Sequence, residues 1–160
     1  MSFTLEPLER KELLRIARST LREYLATGFI PPGAPHKQAL REPGAAFVTL
    51  KVGGRDGELR GCIGTFSARQ PLYKCIQEMA VSAATRDPRF AAVERPELDG
   101  LEIEISVLSP LQSVASPETI EVGVHGVCIT CGPHHGVLLP QVAVEQGWDR
   151  LTFLDHVCRK

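Results

Sequence analysis

Apolar residues recur at three- and four-residue spacing between Pro7 and Ala26, which predicts an amphipathic helix over this segment. Gly28 lies just beyond it, where a left-handed residue commonly ends a helix, and Thr4 is a candidate N-terminal cap. The residues expected on the buried stripe are Leu13, Leu14, Ala17, Leu21, Tyr24 and Leu25.

Strict alternation of apolar and polar residues then predicts strands. A Pro- and Gly-rich arm over residues 31–44 excludes helix and central strand, because proline fixes φ and removes a donor. Alternation follows over 46–52 and 59–65 with a glycine-rich turn between, which predicts a β-hairpin. Residues 101–107 alternate without a break, so one face of their strand is expected to be buried and the other not.

Helices intersperse with these strands. One is predicted from Pro71 to the residues before Asp87-Pro88, since the residue preceding proline is disfavoured in the α region. Further strands are predicted over 122–130 and 136–139, then a short helix from Pro140 and a last helix capped by Asp149. Tight turns between strand pairs favour an α+β domain with an antiparallel or mixed sheet and packed helices.

Composition narrows the function classes. The chain has 160 residues, the length of one domain over 1–160, with 18 basic and 19 acidic residues and a formal net charge of -1. That balance gives no basic footprint for nucleic acid, and no apolar run approaches the roughly 20 residues of a membrane span. No signal peptide is recognisable, and the five cysteines are odd in number and irregularly spaced. We therefore expect a cytoplasmic protein with reduced thiols.

The most informative segment is LRGCIGT, residues 59–65. Strict alternation places Arg60, Cys62 and Gly64 on one face, and Leu59, Gly61, Ile63 and Thr65 on the other. A guanidinium beside a thiol favours the thiolate, and glycines in a strand indicate close approach by a backbone or a ligand. The hypothesis is a nucleophilic or redox thiol at Cys62; the competing interpretation is a buried cysteine, with Arg60 paired to a carboxylate.

Other side chains could complete such a site. His125, between glycines, is a candidate base for Cys62, with His135 as a second candidate, although a solvated turn histidine is the ordinary interpretation. Glu104 lies on the polar face of its predicted strand with Glu102 and Ser106, where an ordinary solvated face is the alternative. The candidate binding residues are Gly61, Gly64, Thr65, Glu104 and His135.

LRGCIGT resembles the signature segment of the AMMECR domain family, and other stretches agree with that family in order. These are ATRDPRF at 84–90, LEIEISVLSP at 101–110, VGVHG at 122–126, LLPQVA at 138–143, GWD at 147–149, FL at 153–154 and CRK at 158–160. The likeness covers nearly the whole chain. It implies a two-lobed α+β domain with no firmly assigned activity and no known cofactor.

Bacterial and archaeal members of the family are called AmmeMemoRadiSam system protein A. That name implies a pathway shared with a Memo-type protein and a radical-SAM enzyme as partners. This chain departs from the family pattern at His134-His135, and it stops at Lys160 where the family tends to continue. We therefore expect that a short C-terminal tail is missing.

Cys128 and Cys131 form a CxxC pair, which His156 and Cys158 could complete as a four-ligand zinc site. Residues three apart on a strand point to opposite faces, so we expect no metal here. Three functions remain open: a Cys62-dependent enzyme or accessory factor, a non-catalytic module that binds a peptide or protein, and a small zinc protein. Serine triads, phosphate-binding glycine loops and dinucleotide fingerprints are not found in the sequence.

Overall fold

The structure, a computed structural model, describes residues 5–53 and 56–160 and divides into two compact units. Unit 1 is Met1–Pro110 and unit 2 is Leu111–Lys160. The proposed cap Thr4 and part of the turn between the first two predicted strands, Gly54-Arg55, lie outside the described residues.

Two helices form one layer of unit 1. Helix α1 is Pro7–Thr27 and helix α2 is Leu72–Thr85. Helix α1 begins in a capping box, in which Glu6 and Glu9 satisfy each other's backbone amides, and ends at Gly28 with φ 79°. Its buried residues are Leu13, Ile16, Ala17, Thr20 and Leu21. Leu14, predicted on this stripe, is 40% exposed, whereas Ile16, which was not predicted there, is buried.

The other layer is a three-stranded antiparallel sheet in the order β2-β1-β3. Strand β1 is Ala45–Val52, β2 is Glu58–Gly64 and β3 is Leu101–Leu108. Apolar side chains from one face of the sheet join the helices in the core of unit 1, led by Val48, Leu50 and Ile103. Burial follows the predicted alternation over 46–50 and 101–103, whereas Val52 is 45% exposed and residues 104–107 are all half-buried.

The arm over 31–44 is less uniform than its prolines predicted. A single 3₁₀ turn, Gln38–Leu40, interrupts it and inserts Leu40 into the core of unit 1 with no exposed surface. Such a turn is short enough to fit between the prolines of the arm. The arm is therefore anchored to the core in its second half.

Unit 2 contains a two-stranded hairpin, β4 Val127–Cys131 with β5 His134–Leu138, and two helices, α3 Pro140–Glu145 and α4 Arg150–Cys158. Its core is led by Phe153 and Val157, both fully buried. The strand predicted over 122–130 starts five residues late, because Gly123 adopts φ 83° within a turn.

The α+β class with antiparallel strands and packed helices is thus confirmed. In the described ranges no helix combines the length and the apolar character that crossing a membrane requires.

Candidate functional site

The face of the unit 1 sheet that carries Cys62 is polar and half-buried. We call it the polar sheet face; its half-buried members are Phe47, Thr49, Lys51, Cys62, Gly64, Glu104 and Ser106. Thr49 lies opposite Cys62 on one side and opposite Glu104 on the other, so the three form one row across the strands. Thr49 Oγ1 donates to Cys62 Sγ over 3.2 Å, and Lys51 Nζ contacts Glu104 Oε1 at 3.0 Å.

A β-bulge changes the predicted position of Arg60. Leu50 pairs with Gly61 and Lys51 pairs with Leu59, so Arg60 has no partner residue in β1. The strict alternation predicted for 59–65 is wrong here: Leu59 lies on the side of Cys62, because the extra residue reverses the phase of the strand.

Arg60 forms its hydrogen bonds with the segment that precedes β3. Its Nε and Nη2 donate to both carboxylate oxygens of Glu97, and its Nη1 and Nη2 donate to the carbonyls of Ala91 and Ala92. The hydrogen bonds from Arg60 hold the pKa of Glu97 below its ordinary value, with help from the Glu94 amide. No contact recorded for the described residues joins Arg60 to Cys62, and a role of Arg60 in thiol chemistry stays a prediction.

Asp87 is the charged group that does contact Cys62. Strand β2 is at the edge of the sheet, and there the backbone amide of Cys62 donates to Asp87 Oδ2 over 2.9 Å. Helix α2 ends two residues before Asp87-Pro88, as predicted, which brings this carboxylate beside the edge strand. Its side chain is only 2% exposed.

Arg89 neutralises that buried carboxylate. Its Nε donates to Asp87 Oδ1 at 2.9 Å, its Nη2 donates to Oδ2 at 2.7 Å, and its backbone amide also bonds Oδ1. These hydrogen bonds, with that of Cys62, hold the pKa of Asp87 far below its usual range in spite of burial. The pKa of Arg89 is raised, chiefly by its hydrogen bond to Asp87 and in smaller part by the nearby Cys62.

The two glycines around Cys62 are explained by close packing. A Cβ on Gly61 would lie 2.1 Å from the carbonyl oxygen of Ala83 in helix α2. A Cβ on Gly64 would lie 2.2 Å from the ring of Phe47, which in turn packs against Phe66 with centroids 4.9 Å apart. The predicted close approach therefore comes from the protein itself at both positions, and a ligand contact at either stays a prediction.

Two further candidates, Thr65 and His125, have hydrogen bonds to neighbouring backbone amides or carbonyls. Thr65 follows β2, donates its amide to Ala46, and accepts from Ser67. His125 lies in unit 2 in an exposed turn, where its Nδ1 accepts from the Glu121 amide. In a neutral ring the proton is then on Nε2. Its action as a base for Cys62 stays a prediction.

The histidines expected in a turn are instead strand residues. The loop between β4 and β5 is only Gly132-Pro133, so His134 and His135 belong to β5. His135 pairs with Thr130 and helps to line a cleft of about 360 Å³ together with Cys131 and Cys158. A larger cleft of about 520 Å³ lies between the arm and helix α2, lined by Pro31 and Gln77 among others. Cys62 lines neither of them.

The CxxC pair is divided between the faces of its hairpin. Cys128 pairs with Val137 and Cys131 with His134, an odd separation that points their side chains in opposite directions. His156 stacks on Trp148 with centroids 3.9 Å apart. Within residues 5–53 and 56–160, no three His, Cys, Asp or Glu side chains are grouped so that they could hold a metal ion.

Sequence reasoning missed Asp87 and Arg89 as site residues. Both belong to the DPRF stretch, which the sequence shows only as the end of a helix and as part of the family likeness. A carboxylate followed two residues later by an arginine was available as a signal. The contact of Asp87 with Cys62 was not visible in the sequence, because the two residues lie 25 positions apart along the chain.

We expect Asp87→Asn to reduce the free energy of unfolding by about 2 kcal/mol at neutral pH, because a buried charge-assisted network is lost. The carboxyl's pKa is depressed in the folded state, so its stabilisation is present above the unfolded pKa of about 3.9 and is lost as pH falls below it. Urea unfolding at pH 7 and pH 3 measures this, and the variant should lose less stability between the two.

The control is Asp99→Asn, the same change at an exposed carboxyl of unit 1. It should alter stability by less than about 0.5 kcal/mol. Equal losses in the two variants would contradict the assignment of a structural charge to Asp87.

Comparison with known proteins finds archaeal relatives that match most of this chain. It is 44% identical to "Protein MK0488" of Methanopyrus kandleri over 95% of this chain and 76% of that protein. It is 40% identical to "Protein MJ0810" of Methanocaldococcus jannaschii over 92% and 75%. The crystal structure of the uncharacterized protein PH0010 from Pyrococcus horikoshii matches with a TM-score of 0.86 and 38% identity, over 94% of this chain and 78% of that one.

A family model agrees with these relatives. The AMMECR1 model matches residues 14–160, which include the polar sheet face, Asp87 and Arg89. The chain therefore belongs to the AMMECR1 family.

Proposed function

We propose that Cys62 is the nucleophile of a thiol-dependent enzyme or accessory factor, acting in a modification pathway with a Memo-type protein and a radical-SAM enzyme. The proposal rests on two hydrogen bonds of Cys62. The Thr49 hydroxyl donates to its Sγ, and the buried Asp87 carboxylate accepts from its backbone amide. A hydrogen-bond donor to sulfur stabilises the thiolate. The hydrogen bond from the Cys62 amide to Asp87 fixes the strand that carries the thiol.

The reaction class follows from the thiol. Sγ forms a bond to an electrophilic carbon of the substrate while the leaving group departs with the bonding electrons, and the thiol proton passes to water. Arg60, which bonds Glu97 and two backbone carbonyls, is proposed to hold the segment before β3 in place.

The second candidate is a binding module without catalysis. It is favoured by an aromatic pair at the border of the polar sheet face, because Phe66 is 38% exposed and packs against Phe47. Strand addition at the edge of β2 is disfavoured, because Asp87 already bonds the amide of Cys62 there. A partner would therefore bind on the face and not at the β2 edge.

Competitive alkylation tests the first candidate. We expect iodoacetamide at neutral pH to label Cys62 before the other four cysteines, as read by mass spectrometry of each peptide. Cys75 serves as an internal reference for a slow thiol, since burial raises its pKa. The exposed thiols Cys128, Cys131 and Cys158 are the competing references.

Thr49→Val removes the hydroxyl and keeps the shape of the side chain, so it should slow labelling of Cys62 about fivefold, the equivalent of about 1 kcal/mol. Thr130→Val, on an exposed strand position of unit 2, is the matched control and should leave that rate unchanged. Labelling of Cys62 more slowly than all three exposed thiols would overturn the nucleophile and favour the binding module.

A further inference from the structure

We propose that Arg89 is the contact for a negatively charged group on the molecule that Cys62 meets, so that the substrate is an anion with carboxylate or phosphate oxygens. The inference rests on the proposed function of Cys62 and adds the substrate class. It is carried by the way in which one guanidinium is fixed on a buried carboxylate that also accepts a hydrogen bond from the Cys62 backbone amide.

Asp87 Oδ2 is shared by the two residues. It accepts from the Cys62 amide at 2.9 Å and from Arg89 Nη2 at 2.7 Å, so a single oxygen bridges the nucleophile's backbone and the cation. The two charges of the ion pair differ in accessibility: the Asp87 side chain is 2% exposed and that of Arg89 is 55% exposed. A molecule arriving from solvent therefore encounters the guanidinium and not the carboxylate.

The guanidinium is oriented before any ligand arrives. Two of its nitrogens, Nε and Nη2, bond Asp87, and its central carbon lies 5.5 Å from the centroid of the Phe90 ring. For the third nitrogen, Nη1, no hydrogen bond to a described residue is recorded. A planar cation held on one edge presents the remaining donors to an oxyanion at little cost in side-chain entropy.

Two other cations of this part of unit 1, Lys51 and Arg60, are engaged by different partners. Lys51 bonds Glu104, and all three guanidinium nitrogens of Arg60 donate to Glu97 or to backbone carbonyls. Arg89 differs from Lys51 and Arg60 in having one guanidinium nitrogen, Nη1, with no hydrogen bond recorded to a described residue, and in its bridge through Asp87 to the Cys62 amide. Bidentate or single contacts from arginine to carboxylate and phosphate oxygens are among the strongest charge-assisted hydrogen bonds.

The test compares two alkylating probes that differ in charge, iodoacetate and iodoacetamide. Each forms an Sγ–C bond while iodide departs, but only iodoacetate carries a carboxylate. We expect the ratio of the two rates at Cys62, divided by the same ratio for free N-acetylcysteine amide, an uncharged thiol, to be about threefold in favour of iodoacetate. Salt at 1 M should remove most of this preference, because it screens exposed charges beyond about 3 Å.

Arg89→Gln should bring the normalised ratio to one or below, and Arg89→Lys should keep it above one, because the positive charge is restored. Arg15→Gln is the control for net charge, since Arg15 is paired with Glu12 on the exposed side of α1. Circular dichroism verifies that each variant is folded, and Arg89→Lys keeps the test decisive if Arg89→Gln unfolds.

The outcomes separate the two proposals. A Cys62 that is reactive but shows no preference for iodoacetate, or the same preference in Arg89→Gln, overturns the anion contact and leaves the nucleophile. A loss of preference in Arg60→Gln as large as in Arg89→Gln overturns the assignment to Arg89. A Cys62 that reacts with neither probe overturns the proposed function itself.

Discussion

Gly61→Ala should destabilise unit 1 by about 3 kcal/mol, the upper part of the range for overpacking a core. The added Cβ would lie 2.1 Å from the Ala83 carbonyl oxygen and 3.1 Å from its carbonyl carbon. Both atoms are backbone of helix α2, so no side-chain rotation can relieve the clash. Either β2 or α2 must move, and the packing of the sheet on that helix is reduced.

Urea unfolding followed by far-ultraviolet circular dichroism measures the loss, and the fluorescence of Tyr24 and Tyr73 adds a probe, because both tyrosines of the chain lie in unit 1. The matched control is Gly100→Ala, at a glycine with nothing within 4 Å of the added Cβ. It should change stability by less than about 0.5 kcal/mol. Equal stability of the two variants would show that α2 does not pack on β2 as described.

Gly136→Ala should have a similar effect in unit 2, again about 3 kcal/mol. Its Cβ would lie 1.9 Å from the Val157 carbonyl oxygen, in helix α4. Gly136 is buried on the face of the hairpin that packs against this helix, opposite Ile129. Because the chain's single tryptophan, Trp148, lies in unit 2, its fluorescence reports on this unit during urea unfolding.

The control in the same hairpin is Gly132→Ala. Gly132 has φ 59° and nothing within 4 Å, so its substitution costs only left-handed strain of about 1 kcal/mol. A loss at Gly136 no greater than that at Gly132 would contradict the close contact between β5 and α4.

The packing of Gly61 bears on the interpretation of the thiol site. Gly61 precedes Cys62, yet the feature that requires glycine there is the Ala83 carbonyl on the opposite face of β2. A reactive or unreactive Cys62 in a folded Gly61→Ala variant thus reports on the geometry of β2 and not on the loss of a ligand contact. The probes of Cys62 chemistry are Thr49 and Arg89 for this reason.

The sequence by itself determined the elements and the fold class. The alternation of 101–107 and the helical stripe of α1 depend only on local periodicity, and proline at position 88 ended α2 where predicted. The left-handed Gly28 was equally readable, since glycine adopts positive φ without a Cβ penalty. The signature segments of the family are contiguous stretches of chain, so the residues alone suffice to recognise them.

Only the tertiary structure decided what surrounds Cys62. One extra residue in β2 took Arg60 out of the alternation, and periodicity cannot show where a bulge is inserted, because a bulge depends on the pairing with β1. Asp87 reaches the Cys62 amide across 25 positions of chain and is itself paired with Arg89, an arrangement created by the docking of helix α2 on the sheet. Charges that act on a thiol are selected by distance in space, and local sequence pattern does not encode that distance.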